Sequence, residues 1–127
     1  MTELTFEPPG DHLFVRSVGD QGIRVGDEWH AGALLLSAER LVEGWAPDCA
    51  SRLSPEHFEA VLELRPSIVL LGTGSRQEIV MPERLAPLLR RGIGVEVMTT
   101  EAACRTFNVL AAEGREVVAA LLPVRGG

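Results

Sequence analysis

Three short apolar runs punctuate the second half of this chain: Ser67 to Gly72 (SIVLLG), Gly94 to Met98 (GVEVM) and Glu116 to Leu122 (EVVAALL). All three read as strands, and the first is a continuous apolar run of the kind expected of a strand covered on both faces. Segments with helical spacing precede and separate them. In the first, Ser54 caps and Pro55 opens a helix carrying Phe58, Val61, Leu62 and Arg65 at helical intervals, with Pro66 as its stop. In the second, Met81 to Arg91 places Leu85, Leu88 and Leu89 on one face and ends at Gly92. The third, capped by Thr99 or Thr100, runs to about Glu113 and stops at Gly114. Helix–strand alternation of this kind specifies an α/β architecture, with the strands at 68–71 and 94–98 parallel and joined by a right-handed crossover.

The first fifty residues read differently. Leu13 to Val18 alternates apolar and polar residues, Asp20 to Gly22 is turn chemistry, and Ile23 to Gly26 follows as a partner strand. Gly32 to Ser37 and Arg40 to Ala46 read as two more strands. Together they predict a meander of antiparallel hairpins laid as an added N-terminal β-layer on a mixed, mostly parallel central sheet whose faces carry helices.

At 127 residues the chain reads as a single domain, 1–127, able to bury a core without a disulfide or metal staple. The net charge is −6; all twelve basic residues are arginine, scattered apart from Arg90-Arg91. That balance disfavours nucleic acid as a partner. Cys49 and Cys104 form no C-x-x-C pair, and His12, His30 and His57 show no metal-ligand spacing. Neither a metal nor a cofactor is expected. No apolar run is long enough to span a bilayer. The acidic start MTELTFEPPGDHLF is unlike a secretion signal, so the expected location is cytoplasmic.

Candidate binding residues cluster in two places. The loop after the first apolar run carries Gly72, Thr73, Gly74 and Arg76. Gln77 stands where a dinucleotide loop needs its third glycine and no G-K-[ST] follows, so both phosphate fingerprints fail. The helix start carries Thr99 and Thr100, then Cys104, Arg105 and Asn108. The crossover brings both groups to the carboxyl edge of the sheet, where open α/β sheets bind ligands. Free N–H groups at residues 100–102, with Arg76 and Arg105, would suit a small anion, although Glu101 opposes one. A structural turn is the competing reading. Cys104 reads either as an activated thiol or as a small buried filler, and the filler is favoured because it lies beyond the strong part of the helix dipole. Asn108 reads as a clamp on neighbouring backbone or as a ligand contact. Arg105 pairs with Glu101 one turn earlier. His57 reads as an exposed capping residue, and Trp29 and Trp45 as core or interface anchors. No catalytic constellation emerges, so a non-enzymatic role is expected.

The stretch from Leu70 to Gly74, the proline-started helix at Pro82, and above all MTTEAACRTFNVLAAEGR (Met98 to Arg115) resemble one family across nearly the whole chain. It is the archaeal-type domain family of unknown function named for a Methanothermobacter founder, whose eukaryotic relatives include the mitochondrial complex I assembly factor 3. The resemblance implies a three-layer fold with a five-stranded mixed sheet, and no established catalytic residues. It also implies an association with respiratory-complex assembly and, in bacteria, with membrane protein export, so protein partners of those kinds are expected. The chain shows no mitochondrial targeting segment, as a bacterial member would not. Phe107 stands where relatives often have tyrosine, which leaves no hydroxyl there to act.

Overall fold

The computed structural model describes residues 12–124. The acidic stretch read against a secretion signal lies, up to residue 11, outside the described residues. Strands β1 (Val15–Gly19), β2 (Gly22–Val25) and β3 (Glu28–His30) form an antiparallel sheet in chain order. Strands β4 (Leu34–Leu36), β5 (Leu41–Glu43), β6 (Ile68–Gly72), β7 (Gly94–Met98) and β8 (Val117–Leu121) form a second sheet in the order β5-β4-β8-β6-β7. Helices α1 (Pro55–Leu62), α2 (Ala86–Leu89) and α3 (Thr100–Ala112) complete the regular structure. The central sheet is mixed: β8, β6 and β7 pair in parallel, whereas β4 pairs antiparallel with both β8 and β5.

The β-meander is shorter than its sequence predicts. Only β1 to β3 stay in the added layer; β4 and β5 cross into the central sheet. The reason is burial. Leu34, Leu35 and Leu36 are all fully buried, so β4 needs cover on both faces, which only the central sheet offers. Strand β3, absent from the sequence reading, supplies the third strand of the outer layer.

Side-chain alternation splits the central sheet between two cores. Leu35, Val69, Leu71, Val118 and Ala120 face one core, with Trp45, Phe58, Val61, Leu85 and Leu88 against them. Leu34, Leu36, Leu70, Val117, Ala119 and Leu121 face the other, closed by Ala103, Cys104, Phe107 and Ala111 of α3 and by Val15, Ile23 and Val25 of the outer layer. The outer layer and α3 therefore share one face of the sheet, and α1 and α2 occupy the opposite face. The tryptophans divide: Trp45 is in the core, where its indole N–H donates to Leu121 O at 3.1 Å and its ring meets Phe58 edge-on, while Trp29 is 42% exposed on β3.

Two helices depart from their predicted form. Helix α1 ends at Leu62 rather than reaching Arg65, because Arg65 adopts a left-handed conformation (φ 53°) ahead of Pro66, which disfavours helix at the residue before it. The segment 81–91 is a 3-10 turn at Pro82–Leu85 followed by the short α2. Pro87 lacks the N–H that a continuous helix would bond, and Leu89, predicted on the core face, is 45% exposed. Helix α3 matches closely, with Thr99 Oγ1 accepting from Ala102 N at 3.2 Å as its N-cap and Gly114 (φ 82°) beyond its end. His57 accepts the Ser54 N–H on Nδ1 at 2.9 Å, which secures the start of α1.

Candidate functional site

The two candidate clusters meet at the carboxyl edge of the central sheet. Parallel pairing of β6 with β7 and β8 brings Gly72 level with Met98 and Leu121. The chain beyond Gly72 then folds onto the start of α3. Thr100 is the centre of this contact and is fully buried. Its hydroxyl accepts from Gly74 N at 2.8 Å and donates to Leu122 O at 2.6 Å, while its own N–H donates to Gly74 O at 2.9 Å. One side chain therefore joins the loop after β6, the start of α3 and the end of β8.

Thr73 is also buried, and its hydroxyl is shared among Arg76 O at 2.7 Å, Met98 O at 3.3 Å and Glu78 N at 3.0 Å. The loop needs glycine at 72 because a Cβ there would stand 2.8 Å from Thr100 Cα, closer than side chains approach backbone.

Two of the three donors an anion would use at the helix start are engaged: Thr100 N on Gly74 O, and Ala102 N on Thr99 Oγ1. Arg76 is exposed, and Arg105 lies 3.6 Å from Glu101 in an exposed pair one turn apart. A shallow cleft of about 200 Å³ does open at this edge, between Gly74, Ser75, Thr99 and Glu101 on one side and Val18 and Val124 on the other.

Cys104 is 3% exposed, and burial pushes its thiol up to about 12 from 9.0, with Glu101 adding to the rise and Arg105 opposing it. At neutral pH it is a protonated, apolar filler in the core and not a nucleophile. Asn108 uses its whole amide on β1: Oδ1 accepts from Val15 N and Nδ2 donates to Val15 O, each at 2.8 Å. It clamps backbone, and the backbone is a strand of the outer layer.

Of the nine candidate residues, Gly72, Thr73, Gly74, Thr99 and Thr100 are thus gathered into one bonded junction, with Arg76 on its loop. Cys104, Arg105 and Asn108 point to three different surroundings. Among the described residues no group of three or more His, Cys, Asp or Glu is placed to hold a metal ion. The sequence reading missed the His30 to Glu43 side-chain bond, which ties β3 to β5. Its signal was the pairing of β3 itself, since residue 30 becomes interesting only once that strand is recognised.

A family model described as a protein of unknown function (DUF498/DUF598) matches residues 15–122. NADH dehydrogenase [ubiquinone] 1 alpha subcomplex assembly factor 3 of Bos taurus is 37% identical over 117 residues, covering 91% of this chain and 63% of the relative. The chain thus spans less than two thirds of that protein's length. The 13 kDa major membrane protein of Francisella tularensis is 30% identical over 96 residues, 75% of this chain and 76% of the relative. Among solved structures, a crystal structure of a Bordetella parapertussis protein superposes with a TM-score of 0.83 at 38% identity, covering 91% of this chain and 99% of that one.

Proposed function

The chain belongs to the DUF498 family of proteins of unknown function, and from that premise we propose that it is a non-enzymatic interaction protein that helps to assemble or stabilise a membrane-bound respiratory complex. The observation that carries the reading is the similarity to a complex I assembly factor across nine-tenths of this chain. The sheet edge supports it from the other direction. Its threonine hydroxyls and two of its helix-start N–H groups are spent on holding the fold together, which leaves the surface as the working part of the molecule. Among the described residues no helix is long and apolar enough to cross a membrane. In this reading the protein acts from the cytoplasmic side, as a peripheral partner of subunits that are themselves in the membrane. The family's archaeal-type origin belongs to the same proposal; the relatives described above are bacterial and animal.

Affinity purification of the tagged protein from its own cells, with membrane and soluble fractions kept apart and quantified by mass spectrometry, tests the reading. Enrichment of respiratory-complex subunits is the expected result. Enrichment of membrane protein export components would move the same activity to a different client. Recovery of neither above an untagged control would remove the proposal.

A second reading, a small-ligand site at the carboxyl edge, is favoured by one observation: the cleft beside Gly74 and Thr99. Its test is a thermal-shift screen of small anions. A shift abolished by Arg76→Ala or Arg105→Ala would support it, and no shift with any anion would dismiss it.

A further inference from the structure

Strand β7 ends the five-stranded sheet and has β6 on one side only. Its register with β6, and the bond from Thr73 N to Met98 O at 2.9 Å, turn the peptide groups of Gly94, Glu96 and Met98 toward β6. Peptide groups alternate sides along a strand, so those of Val95 and Val97 point out of the sheet. Among the described residues nothing bonds to them. The edge is therefore a row of two donors and two acceptors, which is a template for another strand.

The two faces beside this row differ. Val95 and Val97 lean on the core that contains Val80, and the residues flanking Val80 are left out of it: Ile79 is 90% exposed and Met81 is 52% exposed. Glu96 lies on the opposite face and is exposed. An added strand would meet apolar surface at alternate positions on one side and a carboxylate on the other.

This pattern selects the occupant. If a second copy paired antiparallel through its own β7 and used all four outward groups, Val95 would face Val97 of the copy and Glu96 would face Glu96. Like charges directly opposite destabilise a strand pair. A segment that alternates apolar and cationic residues satisfies both faces at once. We infer that the β7 edge accepts an extended segment of a protein partner, alternately apolar and basic, as a sixth strand of the central sheet. The inference rests on the interaction-protein reading and gives it a surface.

The probe is an end-blocked Val-Arg-Val-Arg-Val peptide, titrated into the full chain at physiological salt and followed by amide NMR. A scrambled peptide, Val-Val-Val-Arg-Arg, holds the charge constant, and Val-Glu-Val-Glu-Val reverses it. The alternating basic peptide is expected to bind saturably below about 1 mM, to protect the Val95 and Val97 amides from exchange, and to bind at least about five-fold tighter than either control. Glu96→Arg, at an exposed site, should invert the preference between the two charged alternating peptides. Val97→Pro removes an outward-facing donor at an edge position where proline is tolerated, together with the core contact of the valine side chain, and should weaken both. Equal binding of the scrambled peptide, protection elsewhere, or no saturable binding would overturn the inference. The two proposals fail separately. If the wild-type protein enriches respiratory subunits and Glu96→Arg enriches them equally, the edge is not the surface although the function stands. If the wild type enriches none, the function falls whatever the peptide does.

Discussion

Asn108 and the backbone of Val15 form a closed pair: amide oxygen to N–H and amide nitrogen to C=O, both at 2.8 Å and 93 residues apart in sequence. A mid-helix asparagine weakens its own helix, because its side chain competes for backbone groups. Here the competition is resolved by sending the amide to another element. The outer layer is thereby fixed to α3 by directional bonds as well as by the apolar contacts of Val15, Ile23 and Val25.

Asn108→Leu keeps the side-chain size but leaves the Val15 N–H and C=O without partners. Each unsatisfied group costs about 1–3 kcal/mol, so urea denaturation should show a loss of about 2–4 kcal/mol. Hydrogen exchange should become faster in β1 and β2 while β6 and β8 remain protected. Uniform loss of protection across both sheets would mean that the outer layer does not open separately.

Thr100 makes a sharper case. Thr100→Val is nearly isosteric but removes the hydroxyl that Gly74 N and Leu122 O share. With both left buried, the expected cost is about 2–4 kcal/mol. Thr100→Ser keeps the hydroxyl and should recover most of it. Equal loss in both variants would place the stability in the threonine methyl group rather than in the hydrogen bonds.

Gly72 and Gly94 form a matched pair at the two ends of neighbouring strands. Neither has positive φ, so substitution at either is a question of space. At Gly72 a methyl group meets the Thr100 backbone at 2.8 Å, and at Gly94 it meets nothing within 4 Å. Gly72→Ala should cost at least about 1–3 kcal/mol, with the Thr100 junction displaced. Gly94→Ala should be neutral or stabilising by up to about 1 kcal/mol. Thermal unfolding of the two variants side by side checks the contrast.

The elements legible in the sequence are those with local signals. Strands β6, β7 and β8 announce themselves as short apolar runs, and α3 by its threonine cap and terminal glycine. What failed was a choice between sheets. Leu34 to Leu36 was recognisable as a strand, but its three consecutive leucines carried the same two-sided burial signal as Ile68 to Leu71, and that signal places it in the central sheet. Strand β3 has only three residues, two of them exposed, so its sequence carries no alternation to detect. At the candidate site, the gathering of Thr99 and Thr100 with the glycine loop followed from the crossover. The Thr100 bond to Leu122 O did not, because it depends on where β8 ends relative to β6, a register that no local pattern encodes.

The alkaline behaviour of this chain should be unusually simple to assign. It contains no lysine and no tyrosine, whose ionisation would otherwise overlap that of Cys104 between pH 9 and 12. Cys104 has its thiol raised to about 12 in the fold, against 9.0 for a free one. Above pH 9 the unfolded chain releases this proton and the folded chain holds it. The unfolded state is then favoured progressively, and stability falls from pH 9 toward 12 by up to about 1.4 kcal/mol per pH unit. Below pH 9 both states carry the proton and the group contributes no slope. Denaturation midpoints measured at successive pH values should show this decline, and Cys104→Ala should flatten it even though the lost sulfur lowers stability at every pH. Thiol labelling at pH 8 gives the same distinction without denaturant: the exposed Cys49 reacts at once, and Cys104 reacts only after unfolding. Rapid labelling of Cys104 in the native protein, or a slope that survives its replacement, would show that the α3 core admits solvent and that the thiol is available for chemistry after all.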